Sequence, residues 1–236
     1  MAIIGISGKK GAGKDTIGKI IQHLTRNYTD DLDIIAYNVE QDKDITSDWQ
    51  IKKFATKLKE IVSILTGCSV EDLESQEFKN ELLSREWDFV DTSAHGNVTL
   101  NTVKRINLGM NNKYTYRRFL QRVGTDAMRN LVHEDIWVNA LFVDYKEELD
   151  AKHFKSNIGE STLKFPNWII TDVRFINELE AIKNRGGLMI RVNRSINDTD
   201  SHISEQALDY FPSDIVIDNN GTIRELVEKV KQIITK

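Results

Sequence analysis

The chain has 236 residues, 40% of them hydrophobic and 29% charged, with a net charge of −4. That is ordinary globular composition, enough for one α/β domain with a lid or insert, or at most two small domains. It argues against a nucleic-acid-coating protein, and with Cys68 as the sole cysteine it rules out a disulfide framework and points to a reducing, cytoplasmic compartment.

Ala2 to Ser7 (AIIGIS) reads as a short buried strand; it lacks a basic leader and goes straight into a Gly-rich loop, so a signal peptide is not expected. Ile17, Ile20, Ile21 and Leu24 follow at helical spacing. Asp33 to Val39 (DIIAYNV) is expected as a second strand, and Phe54 to Thr66 as a helix with Leu58, Ile61, Val62 and Leu65 on one face. Residues 85 to 113 are polar, weakly periodic and long for a loop, a pattern typical of a lid. Two helices are predicted over Thr115 to Leu131 and Asp135 to Leu149, then a polar connection over residues 151 to 166. Trp168 to Thr171 is a strand, Asn177 to Arg185 a helix, Leu188 to Val192 a strand and Asp214 to Ile217 the last strand. Thr222 and Glu225 form a capping box opening a C-terminal helix that turns Ile223, Leu226, Val227, Val230, Ile233 and Ile234 inward. Strands alternating with helices predict a three-layer α/β fold around a mostly parallel sheet. No apolar run approaches the ~20 residues that cross a bilayer.

Gly8-Lys9-Lys10-Gly11-Ala12-Gly13-Lys14 fits the phosphate-loop (Walker A) pattern G-x-x-x-x-G-K. Its position between a predicted strand and helix favours a phosphate cradle over a simple glycine turn, with Lys14 reaching toward the β- and γ-phosphates. Asp15 stands where Ser or Thr usually ligates Mg²⁺, and Thr16 follows. Asp172 comes directly after a predicted strand, the edge of an α/β sheet where ligands bind; it fits either a Mg²⁺ partner or a helix N-cap. Arg174 and Glu178 follow closely. On a regular helix Arg118, Arg122, Thr125 and Arg129 share one stripe, with Leu120, Val123, Ala127 and Leu131 on the apolar side. The stripe fits a bidentate phosphate clamp or a solvated face carrying local ion pairs, and Gly124 marks a possible break. Arg129, beyond that break, is expected to make a surface ion pair. The five histidines are scattered and offer no metal site at ligand spacing.

Gly13-Lys14-Asp15-Thr16, the run from Arg117 to Asp126 with Trp137 downstream, Asp172-Val173-Arg174, His202-Ile203-Ser204-Glu205 and Asp218-Asn219-Asn220-Gly221-Thr222 together resemble the deoxynucleoside monophosphate kinases of tailed bacteriophages. The likeness runs nearly end to end and is weakest over residues 67 to 113. It implies a nucleoside monophosphate kinase-like fold as one domain, with a substrate-binding or lid insert at about 67–131. It implies transfer from ATP, with Mg²⁺, to a deoxynucleoside monophosphate. Gly11, Ala12, Gly13, Lys14, Asp15 and Thr16 would bind the ATP phosphates, and Asn219, Asn220 and Gly221 would border the adenine. Arg118, Gly124, Thr125, Trp137, Asp172, Arg174 and Glu178 match positions around the monophosphate; Lys14, Arg118, Asp172 and Arg174 would be catalytic, and Asp15, Thr16 and Asp172 the metal partners. Lys10, Lys53 and Lys57 are the reserve candidates for the acceptor phosphate. The implied partners are small nucleotides, not nucleic acid or membrane, and a homodimer is permitted.

The chemistry agrees with this implication. A monophosphate acceptor has a second pKa of ~6 and is already a nucleophile at neutral pH, so no general base is needed. The alternatives are a dephospho-coenzyme A kinase-like or phosphomevalonate kinase-like enzyme and, more remotely, an ATPase acting on DNA. An Asn-Lys-x-Asp base-reading motif of GTPase switches is absent, since Tyr114-Thr115 follows Asn112-Lys113.

Overall fold

The apolar run IIGISG forms the central strand β1 (Ile3–Gly8), whose first five residues are all buried, as expected of a strand covered on both faces. The computed structural model describes residues 3–26, 30–43, 45–87, 114–149, 163–195 and 212–234. Residues 88–113 of the expected lid, 151–162 of the polar connection and the His202–Glu205 motif lie outside the described residues. Contacts divide the chain into two compact units, Met1–Ala55 with Trp137–Lys236, and Thr56–Ile136.

In the first unit, β1 pairs in parallel with β5 (Asn167–Val173) on one side and β6 (Leu188–Asn193) on the other. β2 (Trp49–Lys52) extends the sheet beyond β5, and β7 (Ile215–Asp218) beyond β6, giving the all-parallel order β2-β5-β1-β6-β7. Ile4 and Ile6 point into a core completed by α1 (Lys14–Thr25), α2 (Leu32–Glu40) and α8 (Ile223–Ile234). Gly5 points the other way, toward α7 (Ile176–Lys183), where a Cβ would lie 2.7 Å from Ile182 Cδ1 and 2.5 Å from Met189 Sδ. The sheet is thus covered on both faces. Fully buried side chains such as Ile17, Ile20 and Val227 each contribute about 1.5–3 kcal/mol of burial. The capping box of α8 forms as expected, with Glu225 N donating to Thr222 Oγ1 and Thr222 N to Glu225 Oε2.

The expected strand over Asp33 to Val39 is instead α2. Asp31 caps it, its Oδ1 accepting from Asp33 N and Ile34 N, while Ile35, Ala36 and Val39 are buried on one helical face. The run is apolar enough for either state, and the cap together with the i, i+1, i+4 burial selects helix. The actual edge strand, β2, has only Trp49 and Ile51 as an alternating apolar pair, too short to signal itself. The helix predicted over Asp135 to Leu149 is shorter: α6 spans Ile136–Phe142 and closes in turns from Asp144 N to Leu141 O and Tyr145 N to Phe142 O. Glu148–Leu149 forms strand β3, antiparallel to β4 (Leu163–Lys164).

The second unit contains α3 (Thr56–Thr66), α4 (Gln76–Lys79) and α5 (Tyr116–Gln121), which runs on as a π-helix over Arg122–Val132. Arg117 ties α5 to α4 through Asn80 Oδ1 at 3.0 Å and Gln76 Oε1 at 2.9 Å, and the Phe78 and Tyr116 rings lie 4.5 Å apart. The winding change at Arg122 replaces the α-helix expected through Leu131. Bonds to the fifth residue back advance side chains differently from the 3.6-residue turn, so the expected stripe does not persist. Leu131, expected on the apolar side, is 83% exposed, and Arg129, expected at the surface, is only 9% exposed.

Candidate active site

The loop from Gly8 to Gly13 leaves the carboxyl end of the central strand and enters α1 at Lys14. Gly8 has φ 149° and Gly13 φ 97°. A Cβ on Gly8 would lie 2.5 Å from Val192 O, and one on Gly13 2.5 Å from Asn219 Nδ2, so only glycine fits either place. Lys14 folds back over the loop, donating to Gly8 O at 2.6 Å and Lys9 O at 2.8 Å. The first N–H groups of α1 lack intrahelical partners, and its dipole favours an anion here.

Asp15, in the first turn of α1, is oriented from β5. Thr171 Oγ1, buried in that strand, donates to Asp15 Oδ1. The Lys53 ammonium lies 3.4 Å from Asp15 Oδ2. Thr16 is half-buried beside them. Asp172 does not follow the strand but lies within it, because β5 continues to Val173. Its Oδ1 accepts from Phe54 N at 2.8 Å and its Oδ2 from Ala55 N at 2.9 Å, so the carboxylate fastens the chain just after Lys53. The N-cap alternative for Asp172 does not hold: α7 begins after Phe175. Glu178 performs that function. It is buried, and its Oε2 accepts from Arg174 N at 2.8 Å and Phe175 N at 3.1 Å.

The Asn219-Asn220-Gly221 turn closes the other flank of the loop. Asn219 Nδ2 donates to Ala12 O at 2.8 Å, its N–H to Asn193 O at 2.7 Å, and Asn220 Oδ1 accepts from Ser195 N at 2.8 Å. Beside it lies a cavity of about 300 Å³ lined by Lys9, Arg191, Val192, Asn193 and Arg194. Arg194 Nη1 lies 3.5 Å from Gly11 O. Sequence reading missed Thr171, Arg191 and Arg194, and it offered Lys53 only as a reserve candidate for the acceptor phosphate, not as the partner of Asp15. None belongs to a local motif, although the alternation of polar and apolar residues in β6 was a usable signal for Arg191. Trp137 is buried at the start of α6.

In the second unit, Arg118 lies over the Tyr114 ring, 5.5 Å from its centroid. Burial pushes the Tyr114 phenol above its ordinary range, opposed by the Arg122 and Arg118 guanidinium charges and by a hydrogen bond with Arg122. Arg129 Nη1 reaches Glu134 O at 3.3 Å. Gly124 packs so closely on α3 that a Cβ would lie 2.6 Å from Leu58 Cδ2, and Thr125 is half-buried next to it. The stripe is therefore divided: Arg118 and Arg122 are exposed, while Arg129 is turned inward.

A five-stranded parallel sheet whose central strand feeds a glycine loop, the lysine that ends it and a helix N-terminus defines a phosphate-loop nucleotide-binding protein of the nucleoside monophosphate kinase-like fold. Residues 31–230 match the model of the deoxynucleotide monophosphate kinase family, and the chain belongs to that family. The match begins after the phosphate loop, so the loop is an independent observation. The chain is 30% identical over 126 residues to the deoxynucleotide monophosphate kinase of Escherichia phage RB69, covering 53% of this chain and 47% of the relative. It is 28% identical over 138 residues to that of Enterobacteria phage T4, covering 58% and 52%. The matched region thus spans about half the length of these relatives. Among the described residues, no helix is long and apolar enough to cross a membrane.

Proposed function

We propose that this chain transfers the terminal phosphate of ATP to a deoxynucleoside 5′-monophosphate, producing the diphosphate and ADP. The observation that carries the reading is Lys14 folded onto Gly8 O and Lys9 O across a glycine loop, in a chain of this kinase family. Gly11 to Thr16 hold the phosphates of ATP. The Asn219 turn and the cavity with Lys9, Arg191 and Arg194 receive the rest of the donor nucleotide. Arg118, Arg174, Gly124, Thr125 and Trp137 are assigned to the acceptor side by the family resemblance. Asp172 and Glu178 act as positioning residues, because their carboxylates accept backbone N–H groups at the 54–55 turn and at the start of α7.

Asp15 and Thr16 are the residues that would hold Mg²⁺. One carboxylate and one hydroxyl at a helix N-terminus suit an ion that keeps several waters and takes its other ligands from phosphate. The ion supplies neutralisation of the charge that builds up between donor and acceptor. Lys14 adds its fixed charge to the same region, and no residue has to remove a proton from a dianionic acceptor.

The test is phosphoryl transfer from ATP·Mg²⁺ to each common nucleoside and deoxynucleoside monophosphate, with dephospho-coenzyme A and phosphomevalonate as competing acceptors. Diphosphate formation from deoxynucleotides is expected. ATP hydrolysis stimulated by DNA, with no acceptor phosphorylated, defeats the reading.

A further inference from the structure

The Asp15 carboxylate is held from two sides by unlike groups. Thr171, 1% exposed in β5, donates a neutral hydrogen bond to Oδ1 and so fixes orientation without supplying charge. Lys53 supplies the charge, with its ammonium 3.4 Å from both Oδ1 and Oδ2. That separation is longer than the ~2.7–2.9 Å of a tight charge-assisted bond, so the contact is a loose one. The lysine is also the more buried partner: its side chain is 24% exposed and that of Asp15 is 60% exposed. The carboxylate keeps an open side toward solvent while the cation lies behind it.

Lys53 does not reach this place by chance of a flexible stem. It follows β2, which is registered on β5 through Lys52 and Ile170. The two residues after it are fastened by Asp172, the neighbour of Thr171 on the same strand. Consecutive β5 residues therefore fix both members of the pair: Thr171 sets the carboxylate, and Asp172 sets the backbone that carries the ammonium. Such a frame is excessive for a surface ion pair, which adds little to stability.

We propose that Lys53 is an exchangeable counter-ion: it neutralises Asp15 in the nucleotide-free enzyme, is released when a metal-bearing nucleotide takes over the carboxylate, and contacts an oxygen of the migrating phosphoryl group only as transfer takes place. The inference rests on the phosphotransferase reading and adds a catalytic residue to it. A divalent ion would hold the Asp15 carboxylate more strongly than an ammonium does, which would free the Lys53 charge for the phosphoryl oxygens as negative charge develops on them. During transfer an acceptor-phosphate oxygen bonds to the γ-phosphorus as the bond from that phosphorus to its bridging oxygen breaks. The electron pair leaves with the nucleoside diphosphate. Lys53 keeps its proton throughout and contributes charge alone. Asp172 is a positioning residue that acts through Lys53.

The 236-residue chain tests this with Lys53→Met, Lys53→Arg and Asp172→Asn. The first readout is binding of Mn²⁺ with a non-hydrolysable ATP analogue, followed by electron paramagnetic resonance; the second is single-turnover phosphoryl transfer. Removing a competing resident cation is expected to tighten Mn²⁺–analogue binding by about threefold or more in Lys53→Met. Transfer is expected to fall by ~10²-fold in the same variant and to recover partly in Lys53→Arg. Asp172→Asn should show the same opposed pair of changes in weaker form, which a purely structural loss does not produce. Thermal unfolding verifies that each variant is folded. Unchanged or weaker Mn²⁺–analogue binding in folded Lys53→Met, or transfer within about twofold of the wild type, overturns the proposal. If the wild-type chain phosphorylates no deoxynucleoside monophosphate, the functional reading fails by itself, and the Mn²⁺ measurement still decides whether Lys53 competes for Asp15.

Discussion

The glycine loop at Gly8 to Thr16 and the arginine segment at Arg117 to Val132 are both basic and both adjoin a helix, yet they differ in what fixes them. The loop is set by short-range chemistry: two glycines at positive φ where no side chain fits, and a lysine bonded to carbonyls five and six residues away. The arginine segment is set by its winding. A helix that turns from α to π at Arg122 sends side chains to directions that α-periodicity does not forecast, so Arg129 ends buried and Leu131 exposed. Motifs that carry their own backbone constraint are therefore readable by eye, and faces of helices are readable only as long as the helix keeps its pitch.

The largest effect should come from the loop. Lys14→Ala is expected to lower turnover by ~10²–10³ with the melting temperature nearly unchanged, because its ammonium meets backbone carbonyls rather than the core. Turnover above half the wild-type rate would remove the loop from the catalytic centre. Next come Arg118, in the exposed part of the arginine segment, and Arg174, just after β5. Arg118→Lys and Arg174→Lys are each expected to reduce kcat/KM for the monophosphate by up to ~10²-fold, since lysine keeps the charge but loses the paired bonds of guanidinium. If both variants stay within about twofold of the wild type, the acceptor phosphate is held by other groups.

The buried part of the segment should respond in stability instead. Arg129→Ala leaves Glu134 O without that donor in a half-enclosed place and is expected to cost about 1–3 kcal/mol, measured by urea unfolding. An effect on kcat alone would put Arg129 back with Arg118 on a catalytic face.

The smallest effects are pH-dependent and lie in the first unit. The Lys183 ammonium, bonded to Asp214 at 2.6 Å, holds that carboxyl below its ordinary 3.8, aided by Met189 N. The folded value is lowered, so its stabilisation is full above pH 3.8 and is lost as pH falls through the lower folded value. Asp214→Asn should flatten that acid limb. Burial, with the Arg26 and Lys19 charges, pushes the His23 imidazole below its ordinary 6.5, so its contribution is present above that pH and is lost on acidification. His23→Gln should flatten the shallower slope just below pH 6.5 in thermal unfolding.

Sequence by itself determined the features whose causes lie close along the chain. The strand–loop–helix at the start, the strands β5, β6 and β7, and the Thr222–Glu225 capping box each rest on apolar runs, glycine placement or a three-residue reach. Even so, Asp33 to Val39 was ambiguous, because a short segment with five apolar residues in seven suits either helix or strand and the deciding cap, Asp31, stands outside it. Tertiary structure alone decided what the acidic residues do. Asp15 meets Thr171 across 156 positions, and Asp172 meets Ala55 across 117. No periodicity or spacing encodes a hydrogen bond over such separations; it exists only because parallel pairing of β2 with β5, and of β5 with β1, brings those side chains to one edge of the sheet.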